Sequence, residues 1–485
     1  MNQPVPHPRR WWALSVIAVA QFLVIMDTSI IGVALPEIQR AIGFSQSELS
    51  WVFNAYVIAF GGLLLLGGRL SDLYGARRIF ALGFLILIGA SLLTTFATSE
   101  ATLLSGRALQ GLGSALIAPA ALTMLMMLFA HDPKELTKAF AFYGAAAPAG
   151  GTAGVFLGGW LTDAVDWRWV FFINVPIGFL ALAAISVGLL PSSVARRGSL
   201  DIAGALSGTA ALSLAVYGIV RANEVGWRTA ETALVLGAAV IVLALFVGIQ
   251  ASRREPLMPL SIWRAPNLAA ANVAMALLGA AWIPMWFFLN LYLQQVLGYD
   301  AFEGGLAVLP MTATIMVLMV GVTARVVGRF GFKAPLVAGL LILAAGIGWL
   351  SLLPVDGSYL ADILPATIVA ASGMSIAYIP AMLAALSGVK PEESGLASGI
   401  VNTTYQVGSA LGLAAITAVA TAYGAGQLGN LPALVDGFQA AFIGAAIISV
   451  VGAGLALISL HQPAAAAEPV EIGGEKISDG QVHAA

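Results

Sequence analysis

Two ionisable residues lie inside long apolar segments of this sequence. Asp27 lies in an apolar run that ends near Leu35, and Arg107 lies in another that begins near Thr102. A charged side chain at the centre of a bilayer costs about 2.5–3.5 kcal/mol on insertion scales, so such residues are functional candidates with a partner. At a rise of about 1.5 Å per residue, the two lie at similar depths from the nearer ends of their runs. The sequence therefore predicts an Asp27–Arg107 pair, with helix packing as its alternative role.

Uncharged polar residues recur at helical spacing in three apolar segments. Beyond Arg107, the residues Gln110, Gly111 and Ser114 follow at i+3, i+4 and i+7, which places them on one helix face. Asn54 of the second segment is expected at a comparable depth. In the second half, two further faces carry Trp286, Asn290 and Gln294, and Asn402, Tyr405, Gln406 and Ser409. Such faces line a cavity for a small molecule, or alternatively hydrogen-bond helices to one another.

The composition excludes several kinds of chemistry. The chain has no cysteine, and its 4 histidines lie in the tails or in a loop. Disulfides, thiol nucleophiles and cysteine or histidine metal sites are therefore not expected, and no cofactor is expected. The formal net charge of −2 lacks the basic footprint of a nucleic-acid-binding protein.

Long apolar segments must position these residues. Of the 485 residues, 59% are hydrophobic and 9% are charged, whereas soluble domains carry about 25% charged residues. A membrane-spanning helix needs about 20 apolar residues, and an open sheet cannot satisfy its backbone in lipid. The sequence predicts an all-α polytopic membrane protein with fourteen spans: 11–35, 49–70, 79–98, 102–128, 138–163, 169–190, 202–220, 232–250, 267–297, 304–327, 334–353, 361–386, 395–423 and 437–460.

Basic residues indicate the orientation of these spans. With a cytoplasmic N-terminus, the outer loops hold only Arg40, Arg168, Arg221 and Arg228, and the other basic residues outside the spans fall in cytoplasmic segments. This is the distribution of the positive-inside rule. We therefore predict a multi-pass protein of the cell's inner (plasma) membrane with both termini in the cytoplasm.

Five segments carry the motifs of a known family. They are MDTSIIGVALP (26–36), GRLSDLYGARR (68–78), LLSGRALQGLGSA (103–115), AGVFLGG (153–159) and WRWVFFINVPIG (167–178). In this order they resemble the 14-helix drug:proton antiporters of the major facilitator superfamily over nearly the whole chain. The resemblance places Asp27 in the acidic position of the first-helix motif and Arg107 in the basic position of the fourth. The sequence departs from the family at Val155, where proline is usual, and at Leu73 and Ala76, where basic residues are common.

The resemblance implies two six-helix bundles made of inverted repeats. The parts expected are a cytoplasmic tail 1–10, a bundle 11–190, a linker 191–266 with two extra transmembrane helices, a bundle 267–460 and a disordered cytoplasmic tail 461–485. The stretch 251–266 resembles a lateral amphipathic segment, with a plain linker as the alternative. GRFGFK (328–333) faintly repeats DLYGAR (72–77).

The resemblance also implies a conformational latch on the cytoplasmic side. Its residues are Asp72, Gly75, Arg77 and Arg78. When the cavity faces outward, Asp72 is expected near the inner end of the helix that begins around Ser394. A carboxylate there meets the positive end of the helix dipole.

The function implied is proton-driven export of lipophilic, neutral or cationic small molecules by alternating access. Burial favours the protonated form of a carboxylate, whereas a nearby arginine favours the ionised form. A change of conformation would therefore let Asp27 exchange a proton. The expected partners are small-molecule substrates, protons and the lipid bilayer, and the protein is expected to be monomeric. Alternatives on the same fold are a dedicated exporter of one natural product and an importer. An intramembrane enzyme, which the missing H-E-x-x-H motif disfavours, and a transporter-like sensor are further alternatives.

Overall fold

The computed structural model describes residues 9–44, 50–191, 201–253, 256–390, 393–427 and 429–461, and no strand occurs in these ranges. Its α-helices are α1 (Arg10–Ser29), α2 (Ile31–Ile42), α3 (Ser50–Tyr74), α4 (Ala76–Thr95), α5 (Glu100–Phe129), α6 (Pro133–Ala164), α7 (Trp169–Phe172), α8 (Asn174–Ser186), α9 (Ile202–Val225), α10 (Ala230–Ser252), α11 (Leu268–Leu291), α12 (Ala301–Leu318), α13 (Ala324–Phe330), α14 (Lys333–Leu350), α15 (Leu364–Leu386), α16 (Ser394–Ala422) and α17 (Leu431–Ser459). Three π-helical turns extend α11, join α12 to α13 and precede α15: Tyr292–Val296, Met319–Thr323 and Tyr359–Ile363.

Each predicted span coincides with one of these helices or with a consecutive group of them. In the part of the chain that the structure describes, 13 helical segments are long and apolar enough to cross a membrane. The remaining span is α9, whose apolar part is shorter, Ala203–Ile219. The prediction of an all-helical, polytopic membrane protein is therefore confirmed. The predicted disordered tail lies outside the described residues beyond His461.

The predicted ends of the first and last spans are wrong by several residues. After one irregular residue, α1 continues into α2, so the first helical segment ends at Ile42 rather than at residue 35. This extension carries an ion pair of 2.7 Å between Arg40 and Glu37, and its charges lower the hydropathy by which a span is recognised. The last helix begins at Leu431 rather than at residue 437, because the Asn430 side chain caps its free backbone N–H groups.

The predicted span 169–190 is divided at Ile173 into the single turn α7 and the longer helix α8. Pro176 accounts for the division, because proline has no N–H to donate to the Phe172 carbonyl group and its ring clashes with that group. Asn174 is consequently the first residue of α8. The helix ends at Ser186, before the predicted boundary.

A row of small residues brings α6 onto α1. The row consists of Ala146, Gly150, Gly154 and Gly158. A Cβ atom added at Gly154 would lie 2.8 Å from the Met26 carbonyl oxygen, which is too close for any side chain. The close approach that this spacing permits is confirmed, and it places the backbone of α6 beside the turn that carries Asp27.

The first and second halves of the chain contact each other through several helices. At the predicted cytoplasmic end, a Cβ atom added at Gly399 of α16 would lie 3.3 Å from the Leu64 carbonyl oxygen of α3. Between α6 and α12, the hydroxyl groups of Thr152 and Thr312 hydrogen-bond to each other while buried. The halves therefore meet through polar and backbone contacts as well as through apolar side chains.

The two extra helices, α9 and α10, pack against each other, and α9 lies on α3. The rings of Tyr217 on α9 and Trp51 on α3 have centroids 5.6 Å apart. The following stretch 251–266 contains a short 3₁₀ helix, Leu260–Arg264. Three apolar side chains of the stretch 251–266 are buried: Leu257, Met258 and Ile262. The described part of this stretch therefore packs against the rest of the protein.

The junctions α3–α4 and α13–α14 have the same backbone feature. Gly75 has φ +94° and Gly331 has φ +70°, a region that L side chains rarely adopt. Both glycines end a helix immediately before another begins. The faint repeat in the sequence therefore corresponds to a repeated helix junction.

Candidate functional site

Asp27 and Arg107 form an ion pair in the interior of the first half. Arg107 Nη1 donates to Asp27 Oδ2 over 2.7 Å, and both side chains are 0% exposed. Asp27 is near the end of α1, and Arg107 is in the second turn of α5. The pairing predicted from their depths in separate apolar runs is confirmed.

Three other groups hold the guanidinium of Arg107. Its Nε donates to the Val52 carbonyl oxygen over 2.9 Å, and Nη1 donates to Gln110 Oε1 over 2.9 Å. The guanidinium carbon lies 4.7 Å from the centre of the Tyr56 ring, in the range of a cation–π interaction. The Tyr56 hydroxyl lies 2.9 Å from Ser114 Oγ, so the predicted polar face of α5 is turned towards α3 and α1.

The second oxygen of Asp27 accepts hydrogen bonds from two side-chain amides. Asn174 Nδ2 lies 2.5 Å from Asp27 Oδ1, and Gln110 Nε2 lies 3.4 Å from it. Gln110 Nε2 also donates to Ser91 Oγ over 2.9 Å. The carboxylate accepts only from N–H donors, which is the hydrogen-bonding pattern of an ionised group.

Three members of this cluster were not predicted from the sequence: Ser91, Asn174 and Tyr56. Each lies in a recognised span or motif, but its residue type alone did not separate it from the other uncharged polar residues of the spans. Asn174 carried the clearest signal, because it is an amide inside the apolar part of WRWVFFINVPIG (167–178). Its contact with Asp27 joins residues 147 positions apart, a proximity that spacing along the chain does not show.

The ion pair holds both charged groups away from water. Losing one partner of a buried pair costs about 3–5 kcal/mol, because the other charge is left uncompensated. The pair joins α1 to α5, and the hydrogen bond from Asn174 ties α8 to the same carboxylate. The packing of these three helices therefore depends on the charges of Asp27 and Arg107.

The predicted cavity residues of α11 are only partly brought together. Trp286 and Asn290 are half-buried, and Asn290 Nδ2 donates to the Trp286 carbonyl oxygen of its own helix over 2.8 Å. Gln294 is exposed and lies in the π-helical turn that extends α11. A π turn has a longer hydrogen-bonding interval than an α-helix, so the spacing between Gln294 and Trp286 is not the regular α-helical one, and a cavity role for Gln294 remains a prediction.

On α16, the predicted residues share a half-buried face. Asn402, Tyr405 and Gln406 are each partly exposed. The Tyr405 ring meets the Tyr378 ring of α15 edge to face, with centroids 6.1 Å apart. Asn402 Nδ2 donates to the Ser398 carbonyl oxygen over 3.0 Å. The side chain of Asn54, the remaining predicted cavity residue, lies outside the described part of the structure.

The predicted latch residues surround the α3–α4 junction. Asp72 is half-buried in the last turn of α3, and Gly75 forms the junction with its positive φ. Arg77 Nη2 donates to the Ile185 carbonyl oxygen near the end of α8 over 2.5 Å, and Arg78 is exposed. Arg77 thus ties this junction to α8 of the same half. The side chain of Ser394, Asp72's expected neighbour, lies outside the described residues.

In the described residues, no group of three or more His, Cys, Asp or Glu side chains could hold a metal ion. The site is built instead from one carboxylate, one guanidinium, two amides and hydroxyl groups. Such groups bind and release protons or orient polar parts of a ligand.

The family model of the Major Facilitator Superfamily matches residues 17–413. Two relatives are each 39% identical to this chain. The cephamycin export protein CmcT of Amycolatopsis lactamdurans aligns over 90% of this chain and 89% of its own length. The puromycin resistance protein pur8 of Streptomyces alboniger aligns over 89% of this chain and 87% of its own length.

The fold is also that of a solved transporter. The crystal structure of the human organic anion transporter MFSD10 superposes with a TM-score of 0.65 over 93% of this chain and 100% of that chain, at 16% identity. The helices, the buried ion pair and these similarities define a multi-pass membrane protein of a transporter family. The chain belongs to the Major Facilitator Superfamily.

Proposed function

We propose that the protein exports lipophilic, neutral or monocationic small molecules in exchange for protons, by alternating access. The observation that carries the proposal is the Asp27–Arg107 pair. Among the described side chains, Asp27 is the only buried carboxylate that lies within a helix. The names of the two relatives, an export protein and a resistance protein for antibiotics, support efflux as the direction of transport.

The pair supplies a means of coupling. A proton from the outer aqueous phase neutralises Asp27 and removes its electrostatic attraction to Arg107. The freed guanidinium and carboxyl groups then favour a different packing of α1 against α5, and the cavity opens to the other side. Release of the proton into the cytoplasm restores the pair, so that each cycle moves protons inward and substrate outward.

An exporter dedicated to one natural product is the second candidate. The two relatives are each named for a single antibiotic, which favours a narrow substrate range. Growth of a pump-deficient host in a panel of unrelated lipophilic antibiotics separates the two candidates. Protection against several scaffolds supports a multidrug exporter, whereas protection against one supports a dedicated exporter.

We place the protein in the plasma membrane with both termini cytoplasmic, as a monomer. The distribution of basic residues supports this orientation. Because the chain has no cysteine, single cysteines introduced at Asp132 and Asp166 report the two sides directly. A membrane-impermeant maleimide should label position 166 but not position 132 in intact cells, and the reverse pattern would overturn the orientation.

Proton coupling is tested in proteoliposomes that contain a pH-sensitive dye. A pulse of tetraphenylphosphonium on the substrate side should drive protons in the opposite direction with the wild-type protein. Asp27→Asn should abolish this movement while remaining inserted and folded, because asparagine keeps the size of the side chain but cannot ionise. Equal proton movement with Asp27→Asn would show that Asp27 is only structural.

A further inference from the structure

We propose that Asn174 is a positioning residue for Asp27, with a side-chain amide that turns over when Asp27 changes protonation state. Its Nδ2 group donates to ionised Asp27, as in the structure, and its Oδ1 atom accepts from protonated Asp27. The inference rests on the proposed function, because it requires Asp27 to carry the coupled proton. Through Asn174, α8 then responds directly to the protonation of Asp27.

The two oxygens of Asp27 have different surroundings. Oδ2 faces the Arg107 guanidinium at 2.7 Å, where a cation opposes the arrival of a proton. Among the described residues, Oδ1 accepts no hydrogen bond from the guanidinium and faces Asn174 Nδ2 at 2.5 Å and Gln110 Nε2 at 3.4 Å. Oδ1 is therefore the oxygen that binds the proton, and the amides beside it must adjust.

Of these two amides, Gln110 is fixed in its orientation. Its Oε1 accepts from Arg107 over 2.9 Å, while its Nε2 donates to Ser91 over 2.9 Å. Turning it over would direct an NH₂ group at the guanidinium, and two donors would then face each other. Gln110 consequently remains a donor in both protonation states.

Asn174 is held less firmly, because its only other hydrogen bond among the described residues runs from Nδ2 to Ser91 Oγ over 3.4 Å, and a hydroxyl group can donate as well as accept. It is 0% exposed, and its Oδ1 atom is buried without a hydrogen-bond partner among the described residues. An unsatisfied buried acceptor costs about 1–3 kcal/mol. A half-turn about the terminal side-chain bond places Oδ1 where Nδ2 now lies, at a distance from Asp27 that suits an O–H···O hydrogen bond. Protonation of Asp27 thus supplies the donor that this acceptor lacks.

The charged and titratable groups that face Asp27 in the described chain are few. Helix α5 contributes Arg107, and α3 contributes Tyr56, whose ring lies against the guanidinium. Helix α4 contributes the hydroxyl of Ser91, and α6 contributes Gly154 of its row of small residues, which has no titratable side chain. No second carboxylate competes for the proton among these groups.

The step is balanced as a single proton transfer. A hydronium ion in the outer aqueous phase gives up one proton, which forms an O–H bond at Asp27 Oδ1 and leaves a water molecule, and the side chain changes from charge −1 to neutral. The Asn174 amide rotates and accepts that O–H group, while Oδ2 no longer attracts Arg107 as an anion. Loss of the proton to cytoplasmic water reverses the rotation.

Infrared difference spectroscopy of the purified, reconstituted protein at high and low pH tests this assignment. Asp27→Asn identifies the carboxylic carbonyl band of Asp27 by its disappearance, and Asn174→Leu identifies the amide carbonyl band of Asn174. In protein with ¹³C-labelled asparagine, we expect the Asn174 band to move to lower wavenumber when the Asp27 band appears. The reason is that its oxygen has then gained a donor.

The variant Asn174→Leu keeps the branching and the number of heavy atoms of the side chain but neither donates nor accepts a hydrogen bond. We expect its Asp27 carboxylic band to move to higher wavenumber, because the O–H group has lost its acceptor. Proton-coupled transport should fall by about tenfold, equivalent to about 1.4 kcal/mol.

Asn272→Leu is the matched control. Asn272 is a buried asparagine of α11 that also has an unpartnered Oδ1 atom, but it donates to Leu268 of its own helix. This variant should leave both infrared bands and the transport rate unchanged. An equal effect of the two leucine variants would reduce Asn174 to a packing residue and overturn the inference.

The remaining outcomes separate the two proposals. If the Asp27 band appears but the Asn174 band does not move, Asn174 does not turn over and only this inference fails. If no band assignable to Asp27 appears at any pH, or Asp27→Asn transports like wild type, the proposed function fails as well.

Discussion

A guanidinium buried in a membrane-spanning helix needs several partners at once, and Arg107 finds them on three helices. It reaches a carboxylate on α1, an amide on α5 and a backbone carbonyl group on α3. The planar fork of arginine can meet these groups together, whereas the ammonium group of lysine is a single point of charge. The site therefore depends on the shape of Arg107 as well as on its charge.

Arg107→Lys should consequently inactivate transport although it keeps the charge. We expect transport to fall by more than tenfold and the free energy of unfolding to fall by about 1–3 kcal/mol, because buried acceptors lose their donor. Uptake into proteoliposomes and thermal unfolding in detergent measure the two effects. Tyr56→Phe is the control, because it keeps the ring beside the guanidinium; activity in Arg107→Lys equal to that of Tyr56→Phe would contradict the argument.

Between α1 and α6, backbone contact replaces side-chain packing. The row of small residues on α6 lets this helix approach the carbonyl groups of α1 closely enough to fix the turn that carries Asp27. Not every glycine of α6 has this role. At Gly151 an added Cβ atom would make only an ordinary van der Waals contact, 3.7 Å from Ser29 Oγ.

This difference gives a matched pair of variants. Gly154→Ala should destabilise the protein by about 1–3 kcal/mol, since overpacking forces the backbones apart. Gly151→Ala should be neutral or slightly stabilising, because alanine favours a helix by about 1 kcal/mol over glycine. Thermal unfolding in detergent compares the two, and equal stabilities would show that the row does not control the packing.

The ends of the two extra helices are joined by Asp201. Its carboxylate accepts from the backbone N–H groups of Gly204 at 2.9 Å and Leu257 at 3.4 Å, and from Gln250 Nε2 at 3.0 Å. Burial raises the pKa of Asp201, but these hydrogen bonds and the charge of Arg253 outweigh it and lower the pKa below the usual 3.8. The ionised form is therefore the stabilising one.

Asp201→Asn should destabilise the protein at neutral pH but not in strong acid. A carboxyl group with a lowered folded-state pKa stabilises the fold above its unfolded-state pKa of about 4, and that contribution disappears as the pH falls through the folded-state value. The stability difference between wild type and variant should thus shrink below about pH 4. Unfolding curves at pH 7 and pH 3 measure it, and a difference independent of pH would contradict the assignment.

In the whole molecule, α3 and α16 are in contact towards the predicted cytoplasmic side. Asp72 lies one turn beyond Gly68 in α3, and Gly68 faces Gly399 near the start of α16. We expect a carboxylate in this place to act on the N-terminal end of α16, where negative charge is stabilised by about 0.3–1 kcal/mol when exposed and by more when half-buried.

Asp72→Asn should therefore shift the population from outward-facing towards inward-facing. Paired spin labels on the cytoplasmic ends of α3 and α16 should report longer distances in the variant than in the wild type. Lys138→Gln, at an exposed position of α6 outside the predicted latch residues, is the control. Unchanged distances in Asp72→Asn would argue against a latch.

The distribution of acidic groups over the molecule limits its substrates. In the second half, Asp300, Glu303, Asp356 and Asp436 are exposed, and half-buried Asp362 accepts from the backbone N–H of Ser358 at a helix end. A second positive charge on a substrate would meet amides and rings. Cation–π contact supplies about 0.5–2 kcal/mol, which is small against the cost of desolvating an ion.

We therefore expect mono-quaternary lipophiles to be exported better than matched bis-quaternary ones. Efflux in a host without its own pumps, measured with pairs that share the same aromatic groups, gives the comparison. Equal or stronger protection against the bis-quaternary compounds would refute it and point to an acidic group at the mouth of the cavity.

The sequence by itself determined the helices and the central pair. Apolar segments of this length have one stable form in lipid, which made the spans readable. Asp27 and Arg107 stood out because charges are rare at such depth. Gln110 followed from its spacing to Arg107 on the same helix. The assignments of domains and cavity residues remain predictions, since they depend on how whole helices move and on what they bind.

Tertiary structure alone decided the rest of the site. Asn174 reaches Asp27 because Pro176 divides the sixth span and starts α8 at that residue, and because α8 packs beside α4 and α1. The π turn after α11, in which Gln294 lies, was likewise not predicted. Hydropathy and helical period fix what each segment is, but contacts between residues far apart in the chain depend on helix packing, which no single segment encodes.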